Sequence, residues 1–157
     1  MPVHDIIKEQ DELKSFEKRF FLSPKKWERI GDIIDFDWKS YPFDKNHANF
    51  IPESQGIYSF VINPKFTDHP QRYLCYIGKT ERTLRERYFE YLTEAKRARG
   101  RPKLIHLLNK WEGYLEFCYI IKENGDLLNL EKRLLDAFIP PCNARFSAEV
   151  NRSVSAF

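Results

Sequence analysis

A change of hydrophobic period at Gly56 does most to limit how this chain can fold. From Gly56 to Asn63 the side chains alternate, with Tyr58, Phe60 and Ile62 on one side and Ile57, Ser59 and Val61 on the other. A period of two marks a β-strand with two distinct faces. Arg72 to Lys79 reads as a second strand. The connection from Pro64 to Gln71 holds two prolines and Asp68-His69, which suits a long hairpin loop. The period then lengthens. Leu84, Tyr88, Leu92 and Ala95 share one face of a helix from about Thr83 to Arg97. Gly100 stops that helix, and Pro102 opens another that carries Leu104, Leu107, Leu108 and Trp111. Tyr114 to Lys122, rich in aromatic and β-branched residues, is a third strand, and Asn124-Gly125 marks the turn out of it. The last helix runs from about Leu127 to Phe138, where Pro140-Pro141 ends it.

The order β-β-α-α-β-α is satisfied by an α+β fold, a small three-stranded antiparallel sheet flanked by helices. Residues 1–50 read as a helical N-terminal extension to a main domain at 51–157. Within the extension, Asp5 to about Phe21 is a helix with Ile6, Leu13, Phe16 and Phe20 roughly on one face. Ser23-Pro24 offers an N-cap and first-turn proline for a second helix carrying Trp27, Ile30 and Ile34. Asp35 to Gln55 reads as a loop with room for a short strand. Trp27, Trp38, Tyr41 and Phe43 form either a surface for a protein partner or a cap packed on the sheet, and the cap is favoured.

Composition narrows the function classes. A chain of 157 residues with 42% hydrophobic and 15% aromatic side chains has enough apolar mass for a folded core. The net charge of +3 says little, but its distribution says more. Residues 79–103 hold nine Lys and Arg against four Glu, whereas residues 1–55 hold nine against eleven Asp and Glu. Lys96, Arg97, Arg99, Arg101 and Lys103 follow one another with no acid between them, a candidate phosphate-contact strip. The three cysteines include no C-x-x-C pair and the four histidines are scattered, which argues against structural zinc. An odd cysteine count without an apolar leader suits a reducing, cytoplasmic setting. No apolar run reaches membrane-spanning length, so no membrane partner is expected.

Glu131 is the most informative single residue. On its helix the neighbours are Leu127, Leu134 and Leu135, with Phe138 two turns on, so its carboxylate sits on the apolar stripe. A buried carboxylate needs a partner. An arginine, water at the edge of the stripe, or a divalent cation would each serve. A lone carboxylate completed by water and phosphate oxygens suits Mg²⁺. Arg87 and Tyr91 are four apart and share a helix face. A guanidinium clamps a phosphate and stabilises charge in phosphoryl transfer. A phenol positions or deprotonates water when nearby cations lower its pKa. Arg85, in the same turn, is a rival for Arg87. Tyr58 and Tyr76 lie on adjacent strands, either as packing residues or as a convergent pair. Gly78 permits a sharp turn or close substrate approach. Lys79 and Lys103 are phosphate-contact candidates, and Asn143 is placed to fix a loop by hydrogen bonds. Cys142 has no histidine near it in sequence, so a cysteine enzyme ranks low.

Taken in order, Gly56-Ile57-Tyr58, Tyr76-Ile77-Gly78-Lys79, Leu84 through Arg87 to Tyr91, and Leu130-Glu131 through Pro141-Cys142-Asn143 resemble the catalytic module of the GIY-YIG nuclease family. The resemblance spans about residues 54–146. It implies a three-stranded sheet of the GIY-YIG type and a metal-dependent endonuclease acting on DNA, duplex or branched. It implies that Glu131 binds one Mg²⁺ or Mn²⁺, that Arg87 holds the scissile phosphate, and that Tyr58 activates the attacking water with Lys79 tuning it. Tyr76 would position water or substrate. Tyr91 matches a position that is tyrosine or histidine in relatives, and Asn143 would brace the site. The nucleic-acid contacts would come from Lys79, Arg85, Lys96, Arg97, Arg99, Arg101 and Lys103. The long connection from Asn63 to Arg72 departs from the tighter hairpin common in relatives. Restriction, mobile-element and repair enzymes all suit the size. Two other readings stand beside this one. In one, the chain is a catalytic subunit of a repair or defence complex, targeted by a protein partner that docks on residues 1–50. In the other it is a non-cleaving nucleic-acid-binding module of the same fold. As a stand-alone enzyme it would form a homodimer to cut both strands.

Overall fold

The computed structural model describes residues 2–35, 37–66, 71–97, 99–123 and 125–157, with the side chains of 32–35 left aside. The expected hairpin loop at Asp68-His69, Asn124 of the expected turn and the side chain of Ile34 lie outside the described residues. The sheet contains β1 (Lys39–Pro42), β2 (Gly56–Ile62), β3 (Tyr73–Thr80) and β4 (Leu115–Ile121), in the order β1-β4-β2-β3. All pairings are antiparallel. The fold is α+β as expected, but the sheet has four strands where three were expected. The added strand, β1, pairs Lys39–Pro42 with Tyr119–Glu116 and covers the outer edge of β4. Four residues with a terminal proline are too few for a period to show in sequence, and the backbone of β4 supplies the partner that makes them a strand.

Six α-helices accompany the sheet among the described residues: α1 (Val3–Lys14), α2 (Pro24–Trp27), α3 (Leu84–Arg97), α4 (Pro102–Lys110), α5 (Leu127–Phe138) and α6 (Ala148–Val154). Alternation divides the sheet between two cores. Tyr58, Phe60, Tyr76, Phe117 and Tyr119 face α3 and α4, where they meet Leu84, Tyr88, Tyr91, Leu104 and Leu107. Ile57, Ile77 and Ile120 face the other way onto Leu127, Leu130, Leu134 and Leu135 of α5, with Ile30. The sheet is thus a central layer with helices on both faces.

The main-domain elements lie within a residue or two of their expected bounds, and α5 has the expected bounds. Asp126 caps α5 by accepting from the Asn129 N–H, and Ile139 takes a left-handed conformation (φ 45°) ahead of Pro140.

The N-terminal expectations need correction. The first helix ends at Lys14, seven residues before Phe21, and buries no residue. Ser15 closes it by bonding the Glu12 carbonyl. Phe16 and Phe20 leave the helix to pack against Trp111 (5.6 Å) and Tyr73 (5.7 Å). Burial on those rings outweighs another turn of an exposed helix. The second helix is one turn long and runs into a 3-10 segment, Glu28–Asp35, broken at Gly31 (φ 60°, ψ −129°). Trp27 packs on Phe138, Phe43 packs on Phe60 and Tyr88, and Tyr41 stacks on Tyr119, which is the cap arrangement. No described helix is long and apolar enough to cross a membrane.

Candidate active site

A cleft of about 340 Å³ opens at one end of β2 and β3. Tyr58, Tyr76, Gly78, Lys79, Arg87, Arg101 and Glu131 line it, together with Thr80, Glu81 and Arg82. They come from β2, β3, the β3–α3 turn, α3, the α3–α4 turn and α5, segments far apart in sequence.

The sheet register sets the floor. Tyr58 on β2 lies opposite Gly78 on β3. A Cβ on Gly78 would fall 2.5 Å from the Tyr58 ring, so the glycine leaves the space in which that ring lies. Gly56 is held for another reason: a Cβ there would meet the Ile120 carbonyl oxygen at 2.0 Å. The first and second motifs each need their glycine for close packing.

Three side chains then lock together. Arg87 donates from Nε to the Tyr58 hydroxyl (3.2 Å) and from its terminal nitrogen to the Tyr91 hydroxyl (3.0 Å). The two hydroxyls are 2.7 Å apart. Both hydroxyls are buried, either can donate to the other, and both accept from Arg87. Burial pushes the Tyr58 phenol up to about 12, against the opposing pull of Arg87, and burial pushes Tyr91 up as well. Both phenols are neutral at pH 7. Burial acts to weaken the Arg87 charge, but the Tyr58 and Tyr91 hydroxyls and Glu90 outweigh it and hold the guanidinium firmly protonated.

The cleft cations are arranged by carboxylates. Glu90 bridges Arg82 and Arg87, each at 2.5 Å, and these arginines hold Glu90 below the usual carboxylate range against the effect of burial. Lys79 pairs with Glu81 at 3.1 Å. Glu131 is half-buried and has no ion pair within 4 Å among the described residues. Burial pushes its carboxyl above the usual range, while Lys79, Arg101 and a hydrogen bond from the Lys79 backbone pull it partly back. Among the described residues no three His, Cys, Asp or Glu side chains gather. A single carboxylate beside open space fits a cation that keeps most of its water shell, and it does not fit a site that must replace the shell with protein donors.

Asn143 lies behind the cleft. Its Oδ1 accepts from the Ile77 N–H (2.9 Å) and its amide donates to the Ile77 carbonyl (2.8 Å), so the side chain bonds β3 as a neighbouring strand would. The loop after α5 is thereby fixed to the strand that carries Tyr76 and Lys79. Cys142 is buried beside it, its N–H bonded to the Cys75 carbonyl (2.8 Å), and is closed to substrate.

The fold brings Tyr58, Tyr76, Lys79, Arg87, Arg101 and Glu131 to the cleft, with Tyr91 and Asn143 directly behind it. It does not bring Arg85, which binds the carbonyls of Ile51 (2.8 Å) and Asn49 (3.1 Å) and the Glu53 carboxylate. Lys96, Arg97, Arg99 and Lys103 are exposed beyond the cleft lining. Sequence reasoning missed Arg82 and Glu90. Glu90 was legible as the i,i+3 partner of Arg87. Arg82 had only its place in the strand-to-helix turn. A second cavity of about 370 Å³ on the opposite sheet face, bordered by Trp38, Val61, Leu134 and Phe138, is largely apolar and lacks a comparable convergence of charge. Comparisons with family models, curated proteins and solved structures return no match for this chain.

Proposed function

We propose that the chain is a metal-dependent endonuclease of the GIY-YIG type that hydrolyses DNA phosphodiester bonds. The observation that carries this reading is the convergence of Tyr58, Tyr76, Lys79, Arg87 and Glu131 on one open, positively charged cleft, with Tyr91 and Asn143 supporting them. Lys79, Arg82, Arg87 and Arg101 line that cleft beside Glu81 and Glu131, with Glu90 and Glu94 against Arg87. A phosphodiester therefore meets several cations at one place, of which Arg101 is the one without a carboxylate partner within 4 Å among the described residues.

In this mechanism Arg87 binds non-bridging phosphate oxygens and stabilises the charge that grows on them. Its attachment to Tyr58, Tyr91 and Glu90 fixes the guanidinium before substrate arrives. The Tyr58 hydroxyl, held by Arg87 and Tyr91, orients the attacking water. A phenol pushed up to about 12, even with Arg87 beside it, stays protonated at neutral pH, so Tyr58 acts by hydrogen bonding and becomes a base only where a bound cation lowers it further. Glu131 would hold Mg²⁺ or Mn²⁺, which when bound supplies Lewis-acid stabilisation of the leaving oxygen. Tyr76 positions water or substrate on the neighbouring strand.

A non-cleaving nucleic-acid-binding module is the second reading. It is favoured by the burial of the Tyr58 phenol and by the carboxylates that already engage Lys79, Arg82 and Arg87. Supercoiled plasmid, linear duplex and branched DNA, incubated with Mg²⁺ or Mn²⁺, separate the two. Metal-dependent cutting that disappears in Glu131→Ala is the expected result. Folded wild-type protein that binds DNA but cuts none of the substrates points to the binding module.

A further inference from the structure

Arg101 differs from every other cation in the cleft. Lys79 pairs with Glu81, and Arg82 and Arg87 pair with Glu90. Arg101 has no carboxylate partner within 4 Å among the described residues. Its guanidinium donates to the Tyr76 hydroxyl (2.5 Å), a neutral acceptor, and lies 5.9 Å from the centre of that ring. A guanidinium carries five N–H donors, so this contact leaves most of them for an anion.

The backbone of Arg101 is fixed although its side chain is exposed. Its carbonyl accepts from the N–H groups of Leu104 (3.1 Å) and Ile105 (3.0 Å), and Pro102 locks the first turn of α4. The residue belongs by sequence to the basic strip 96–103, yet it is the member of that strip lining the cleft. Across the cleft floor, Arg87 is bonded to Tyr58 and Arg101 to Tyr76, whose ring centres are 6.3 Å apart.

We infer that Arg101 is a second phosphate-binding arginine, which contacts the reacting phosphodiester from the Tyr76 side while Arg87 contacts it from the Tyr58 side. The inference rests on the nuclease reading above and separates Arg101 from Lys96, Arg97, Arg99 and Lys103, which track the nucleic-acid backbone outside the cleft. The guanidinium meets charge that develops on the phosphate oxygens, so its removal falls on kcat, whereas removal of a strip residue falls on KM.

The test compares Arg101→Gln, Arg101→Lys and Lys96→Gln in steady-state cleavage of a DNA duplex. It is paired with fluorescence anisotropy of the same duplex over a salt series, with Glu131→Gln present to block cutting. The expected kcat of Arg101→Gln is lower by about 100-fold or more, as for loss of a preorganised transition-state donor, with KM changed less than about threefold. Arg101→Lys regains part of the loss, and Lys96→Gln acts on KM more than on kcat. In the binding arm, Arg101→Gln flattens the slope of log affinity against log salt by about 0.9, one phosphate contact. A wild-type kcat in Arg101→Gln, or an effect on KM alone, overturns the inference while leaving the nuclease reading intact. Wild-type protein that cuts nothing overturns the nuclease reading and the kcat claim. The binding arm then still decides the phosphate contact, and an unchanged salt slope rejects it.

Discussion

For Glu131, burial works against the charged form of the carboxyl, and Lys79 and Arg101 work for it. Burial raises its carboxyl above the ordinary 4.5, so over the interval between the two values the folded state binds more protons than the unfolded chain. Its contribution is therefore complete below the unfolded value and is lost as pH rises through the folded one. Glu131→Gln removes that cost, and the variant is expected to be more stable relative to wild type at pH 8 than at pH 4. Urea unfolding at the two pH values measures this. Cleavage is expected to vanish in the same variant, so stability and activity move in opposite directions. Tyr58→Phe removes the bonds to Tyr91 and to Arg87 Nε but leaves the bond from Arg87 to Tyr91. It should cost about 1 kcal/mol of stability, and about 100-fold or more in kcat if the hydroxyl orients the attacking water.

At the scale of elements, the motif glycines and Asn143 hold β2, β3 and the loop after α5 in register. Gly56→Ala drives a Cβ into the Ile120 backbone, whereas Gly78→Ala meets a side chain, the Tyr58 ring, rather than backbone. Gly56→Ala is expected to destabilise by about 3 kcal/mol or more and Gly78→Ala by about 1–3 kcal/mol. Denaturant midpoints rank the two, and the reverse order would show that the strand backbones give more readily than the ring. Asn143→Ala leaves the buried N–H and carbonyl of Ile77 without partners, at a cost of about 2–4 kcal/mol. The elements themselves were largely legible. The alternation of Tyr58, Phe60 and Ile62 and the helical spacing of Leu127, Leu130 and Leu134 reflect sustained burial on one face, which sequence records directly. β1 was legible only as room for a short strand between Asp35 and Gln55, and α6 was not legible. The first is a strand because β4 offers it an edge. The second is seven residues long, capped by Ser147 and anchored by buried Val150, too short for a period to register.

For the whole molecule, charge is divided between a basic stretch around α3 and an N-terminal segment that leans acidic. Helix α1 buries no residue, so deletion of residues 1–14 is expected to change stability by less than about 0.5 kcal/mol. A large loss of thermal stability would mean that α1 packs on the domain in solution. The order of the motifs and the existence of two apolar faces were determined by the sequence alone, because periodicity and glycine placement are local properties, while Tyr58, Arg87, Glu131 and Asn143 entered as candidates through the resemblance of the motifs. Tertiary structure alone decided which basic residue of the 96–103 strip enters the cleft and which arginine of the α3 first turn is turned away. It also decided which carboxylate aligns Arg82 with Arg87. Those choices depend on distances between segments separated by tens of residues, set when α3, α4 and α5 close over the two faces of one sheet, and no local pattern encodes them.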